Sequence, residues 1–195
     1  MKPALKRVVL GAALLLAAAV QAAPALKSGS FSPPRAAPEI ALTSADGRDF
    51  RLSALRGKVV VLEFGFTHCP AVCPASLAML AQARQKLGPQ AERLQVVFIS
   101  VDPERDTAAR LKRYLAQFDK SFIGLTGTPE QMAAIRKDYG ITATRFPAPA
   151  GQDGYQMGHS SYLYFIDKKG MLRALMPFGR PADEMVHDVN LLAAE

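Results

Sequence analysis

The stretch Phe64 to Leu77, FGFTHCPAVCPASL, holds both cysteines of a 195-residue chain, Cys69 and Cys73, four positions apart and each followed by a proline. A disulfide across so short a loop restrains little of the unfolded chain, so a purely structural staple is a poor reading. If Cys69 lies at or just before a helix start and Cys73 one turn in, both side chains share one helix face, with Cβ atoms about 5 to 6 Å apart. Free N–H groups and the helix dipole then favour thiolate over thiol. Thiolate attacks disulfides, and it is also the form that binds soft ions such as Cu(I). Three residues, Pro70, Ala71 and Val72, separate the pair, where the usual thiol-disulfide motif has two. Spacing alone leaves both chemistries open.

Imidazole commonly completes a two-sulfur site, and the chain has three histidines, His68, His159 and His187. His68 adjoins Cys69, and adjacent residues rarely aim at one centre, so it is expected to be a partly exposed neighbour that tunes the thiolate. His187 stands beside Asp188 near the C-terminus and reads as a surface or capping residue. Whether His159 matters depends on where the fold carries it.

The elements follow from periodicity and punctuation. Residues 40–42 and 49–52 flank the turn signal ADG and suggest a short hairpin. KVVVLEFGF is a continuous apolar run, typical of a strand buried on both faces. CPASLAMLAQARQKLG has helical spacing and stops at Gly88. QVVFISV is a second buried strand, and DPERDTAARLKRYLAQFD a helix that Asp106 could cap. Residues 122–125 form a short strand, and TPEQMAAIRKDYG a helix capped by Thr128 with Pro129 in its first position. TRFPAPAGQDGYQMG reads as a loop dense in Pro and Gly; SYLYFID and MLRALMPF form a hairpin, and PADEMVHDVNLLAAE a final helix. Strands alternating with helices and then a terminal hairpin define an α/β domain, a central mixed sheet flanked by helices on both faces. A buried strand ending in a cysteine pair that opens a helix makes that domain thioredoxin-like. In that arrangement the terminal hairpin faces the cysteine turn. Ser161 falls about where such folds place a cis-proline, and His159, just upstream, comes within reach of both sulfurs.

About half the residues are apolar, enough for one domain with a real core. The opening MKPALKRVVLGAALLLAAAVQAAPA has a cationic head, an apolar run and small residues, the layout of a secretory signal. Residues 1–22 are therefore expected to be a leader cut after Ala22, with an uncleaved membrane anchor as the alternative. Residues 23–38 read as a flexible linker and 39–195 as the folded domain. Losing Lys2, Lys6 and Arg7 lowers the formal net charge from +7 to 7 − 3 = +4. The remaining basic residues alternate with acidic ones, which argues against nucleic-acid binding. The protein is expected to be exported to the periplasm and to act as a monomer.

The motifs FGFTHCPAVCP, ISVDPERDT and GHSSYLYFIDKKG, in that order, resemble the Sco/SenC family of copper-handling assembly factors for cytochrome c oxidase. The resemblance spans residues 36 to 192. It implies one copper, Cu(I) favoured and Cu(II) possible, held by Cys69, Cys73 and His159. It also implies delivery of copper, or of reducing equivalents, to the binuclear copper centre of the oxidase subunit that receives electrons from cytochrome c, or to another exported copper protein. Many family members carry an acidic residue where this chain has Ala71 and another where it has Gly158, so the site is expected to favour Cu(I) over Cu(II) more than acidic-site relatives do. The alternative is a thiol-disulfide oxidoreductase with Cys69 as nucleophile and Cys73 as resolving thiol. Export favours the oxidised pair, so copper uptake calls for a thioredoxin-like reductant. A thiol peroxidase is disfavoured, because Leu62 and Phe66 stand where that pattern needs proline and threonine. Asp102 and Pro103 are expected to turn the chain after their strand, and Met157 to pack rather than to ligate.

Overall fold

The structure is a computed structural model that describes residues 25–148, 151 and 154–195. The expected leader and its cleavage site lie outside the described residues. Among those described, no helix is long and apolar enough to cross a membrane.

The central strand is β4 (Val59–Gly65), every residue of which is buried. It pairs in parallel with β5 (Leu94–Ser100), which pairs in parallel with β6 (Ile123–Leu125). On its other side β4 meets β9 (Tyr162–Ile166) antiparallel, and β9 forms a hairpin with β10 (Met171–Pro177). The sixth strand is β1 (Gly29–Ala36), antiparallel to β10 at the sheet edge. That strand lies in the stretch expected to be a tether. Its residues, GSFSPPRA, are almost all exposed and carry no apolar alternation; backbone pairing defines it, with Phe31 packed against the core.

Successive residues of β4 serve opposite faces. Glu63 faces Ser76 of helix α1 (Val72–Leu87), and its register partner Phe98 packs edge-on against Tyr114 of α2 (Ala108–Leu115). α4 (Ala182–Ala194) packs on α1. On the opposite face, Phe64 meets Tyr139 of α3 (Pro129–Tyr139) and Tyr164 of β9. Helices therefore cover both faces of a mixed sheet, and the fold is the thioredoxin-like α/β class read from the pattern. β2 (Ala41–Thr43) and β3 (Asp49–Arg51) form the expected hairpin. Thr128 caps α3 in a full capping box with Gln131, and Gly140 closes it in the left-handed conformation that glycine adopts without a Cβ penalty.

Two local expectations change. α2 begins at Ala108 with Thr107 as its cap, so Asp106 does not cap it. The Pro- and Gly-rich stretch holds a two-stranded ribbon, β7 (Ala143–Pro147) and β8 (Tyr155–His159), paired only to each other. Its sequence alternates no apolar face because little of it packs on the core.

Candidate metal and dithiol centre

α1 starts at Val72 with Ala71 in the cap position and no side-chain oxygen to cap it. The sulfur of Cys69 fills that role: the Cys73 amide donates to Cys69 Sγ at 3.4 Å. Cys69 thus sits in the turn before the helix, and Pro70 lies outside it, two residues before its first position. Pro74 is tolerated in the first turn, where its missing N–H would lack a partner anyway.

The two thiols are unbridged and unlike. Cys69 is half-exposed, and its pKa is held down to about 5, chiefly by a hydrogen bond from the Cys73 thiol, then by the amides of Cys73, Ala71 and Val72. Burial opposes the shift and loses to these donors. Cys73 is buried, and donation to Cys69 together with desolvation pushes its pKa up. One thiolate is therefore preformed and accessible at neutral pH, while the second proton leaves only when something replaces it.

His159 arrives where the fold pattern puts it. Its Nε2 lies 3.9 Å from Cys73 Sγ, and its ring packs edge-on against Phe66 at a centroid separation of 5.7 Å. Nδ1 is 2.8 Å from the Ser160 carbonyl, which can only accept, so Nδ1 carries the proton in the neutral ring and the Nε2 lone pair faces the sulfur. This is the arrangement that orients a metal-ligating histidine. Ser161 lines the same cavity as Cys73 and His159. Among the described residues, no three His, Cys, Asp or Glu side chains yet converge closely enough to surround an ion as they stand.

The other sequence candidates fall elsewhere. His68 turns toward Thr67 Oγ1 at 3.4 Å and Asp106 at 4.0 Å, and desolvation with Arg110 and Arg105 nearby lowers its pKa. The thiolate of Cys69 is stabilised by Cys73 and backbone amides instead. His187 pairs with Asp188 in α4. Met157 packs against the core.

Glu63 escaped the sequence reading. It is 4% exposed, lines the cavity beside Cys73, and leaves Oε2 without a partner among the described residues. Burial raises its carboxyl to about 8, only partly offset by the Ser76 hydroxyl. The available signal was a lone carboxylate inside the apolar run VVVLEFGF. Asp106 also proves central: it accepts from Thr67 N at 3.1 Å, Thr67 Oγ1 at 2.6 Å and Ser100 Oγ at 2.7 Å, pinning the turn that leads into Cys69.

Fold and site together define a thioredoxin-like domain with a dithiol and an imidazole gathered at the end of its central strand. The SCO1/SenC family profile matches residues 31–194, and the chain belongs to that family. It is 38% identical over 137 residues to the mitochondrial SCO2 homolog of Mus musculus, covering 69% of this chain and 53% of that protein. The chain thus spans about half the length of that relative. A putative copper-binding protein of Stutzerimonas stutzeri is 36% identical over 140 residues, covering 71% and 68% of the two chains. Copper-bound ScoI of Bradyrhizobium japonicum superimposes with a TM-score of 0.73 at 33% identity, over 80% of this chain and 99% of that one. Apo Sco1 of Thermus thermophilus gives 0.75 at 34% identity, over 90% and 100%.

Proposed function

We propose that this protein is a copper metallochaperone that holds one copper ion through Cys69, Cys73 and His159 and passes it to the binuclear copper centre of cytochrome c oxidase or to another exported copper protein. The observation that carries this reading is the imidazole: Nε2 stands 3.9 Å from Cys73 Sγ with its tautomer set by Ser160. That separation suits two donors sharing a small ion. The half-exposed Cys69 side chain completes the set by rotation. Copper is cargo here, and the donor set suits it: two sulfurs and one nitrogen favour Cu(I). Low coordination leaves room for an incoming ligand to bond before the old bonds break, so no free ion enters water. The site of action is the periplasm, reached through the N-terminal leader or from an anchored form.

Gly158 sharpens the expected preference for Cu(I). A Cβ there would meet the Phe146 ring at 2.9 Å, on the ribbon face opposite the His159 side chain. An aspartate at 158 would therefore act on the ion through its field rather than by contact. Competition titrations in both oxidation states on the parent and the Ala71→Asp, Gly158→Asp variant test this; a lower Cu(I) to Cu(II) affinity ratio in the variant is expected, and an unchanged ratio refutes it.

One observation favours thiol-disulfide exchange as a second activity: a low-pKa accessible thiol above a buried one. Cys69 thiolate would attack a partner disulfide, releasing one partner thiolate and forming a mixed disulfide. Cys73, once deprotonated, would attack Cys69 Sγ, releasing the second partner thiolate and closing the Cys69–Cys73 bond. A thioredoxin-like reductant would then restore the dithiol. His159→Ala separates the two activities. Weakened copper binding with disulfide reduction retained supports the chaperone; full copper affinity with reduction abolished reverses the roles.

A further inference from the structure

The sequence motif SVDPERD lies between β5 and α2, outside the cysteine turn and the histidine ribbon, and the structure ties it to both. Thr67, two residues before Cys69, donates its amide and hydroxyl to buried Asp106. Ser100 Oγ donates to Asp106 at 2.7 Å and accepts the Asp102 amide at 3.0 Å. Asp102, fully buried, receives the Tyr155 hydroxyl and Arg105 Nε. Arg105 Nη1 donates to the Tyr155 carbonyl at 2.9 Å, and its guanidinium lies 3.8 Å from the centroid of the Tyr155 ring. Tyr155 is four residues before His159 in β8, on the same face of the ribbon.

A two-stranded ribbon is marginally stable by itself. At its base β7–β8 has the bonds between Thr142 and Ser160, at 3.0 and 3.2 Å. At its far end it has the Tyr155 clasp. We infer that the segment Ser100 to Asp106 is a bracket, with Asp102, Arg105 and Tyr155 as positioning residues that hold the His159 ribbon against the cysteine turn that the same segment pins through Thr67. The bracket lies outside the three proposed ligands; it sets the distance between the two halves of the site. The inference rests on the copper reading for its functional meaning and on the hydrogen bonds and the Arg105–Tyr155 stacking for its geometry.

The test uses the full chain, reduced, in four forms: parent, Tyr155→Phe, His159→Ala and the double variant. Cu(I) affinity is read by competition with a chromophoric chelator, and amide exchange is read on the metal-free protein. Tyr155→Phe removes one hydroxyl and is expected to weaken Cu(I) binding about tenfold, the lower range for a group that orients a ligand. In the His159→Ala background the same change should cost nothing further, because the clasp acts only through that ring. Exchange at Met157 to His159 should accelerate in Tyr155→Phe while Val60 to Phe64 stays protected. An equal loss of affinity in both backgrounds, an unchanged affinity in Tyr155→Phe, or exchange that is unaltered or raised uniformly, overturns the bracket. If His159→Ala itself leaves copper affinity intact, the copper role of the histidine fails, and ribbon exchange alone then decides the bracket.

Discussion

The cysteine turn and the histidine ribbon are built differently. The turn grows from β4, every residue of which is buried, and runs into α1, whose inner face is core. The ribbon belongs to a separate two-stranded sheet, with Phe146 half-exposed on its outer face. One side of the site is therefore as stable as the domain, while the other is held by a few polar bonds and can open locally at lower cost. A carrier needs that asymmetry. On the proposed copper reading, the sulfurs would retain the cargo and the imidazole would be the ligand most readily given up when a partner offers its own.

The strongest way to break this comparison is to remove the fixed side. Cys73→Ala is expected to abolish stoichiometric Cu(I) binding, measured as bound copper after gel filtration in the presence of a chelator. Retention of one tight copper would show that the buried thiol is not a ligand.

Removing the movable side should cost less. His159→Ala is expected to lower Cu(I) affinity by about 100-fold, at the upper end of the range typical for outer partners of a ligand, while leaving thermal stability close to the parent. A loss as complete as that of Cys73→Ala would erase the asymmetry between the two regions.

Glu63 tests how deeply the cysteine side is embedded. Its carboxyl titrates near 4.5 when unfolded and about 8 when folded, so the folded protein holds the extra proton between those values. Folding stability from this group is fully present below pH 4.5 and is lost as pH rises through 8, an effect of about 3 kcal/mol at pH 7. Urea unfolding of Glu63→Gln should therefore decline less between pH 5 and 8 than that of the parent. Parallel pH profiles would place the carboxyl in contact with solvent.

The smallest effect concerns Cys69. Its depressed pKa means that thiolate persists down to about pH 5 and is lost as pH falls through that value. Alkylation rates should show a midpoint there, and Cys73→Ala should move it upward, since the Cys73 thiol is the leading donor. An unmoved midpoint would assign the shift to the helix amides alone.

The two regions also differ in how far the sequence revealed them. The apolar run of β4, the periodicity of α1 and the signals at Thr128 and Pro129 are strong local patterns, and the observed elements follow them. The ribbon and edge strand β1 were not legible, because neither buries an alternating face and the Pro and Gly content of each reads as loop. His159, expected just ahead of the terminal hairpin, does come within 3.9 Å of Cys73 Sγ, although it closes β8 and stands three residues before β9. Glu63 is hidden inside an apolar strand, and Asp106 has the local look of a helix cap although its partner Thr67 lies 39 residues away. A contact of that range leaves no mark on local spacing.

X-ray absorption at the copper edge of the Cu(I)-loaded full chain tests most directly whether one centre is shared by both regions. Two sulfur ligands and one nitrogen ligand are predicted, with the nitrogen lost in His159→Ala and both sulfurs kept. A sulfur-only first shell in the parent, or a nitrogen signal that survives His159→Ala, would contradict the account.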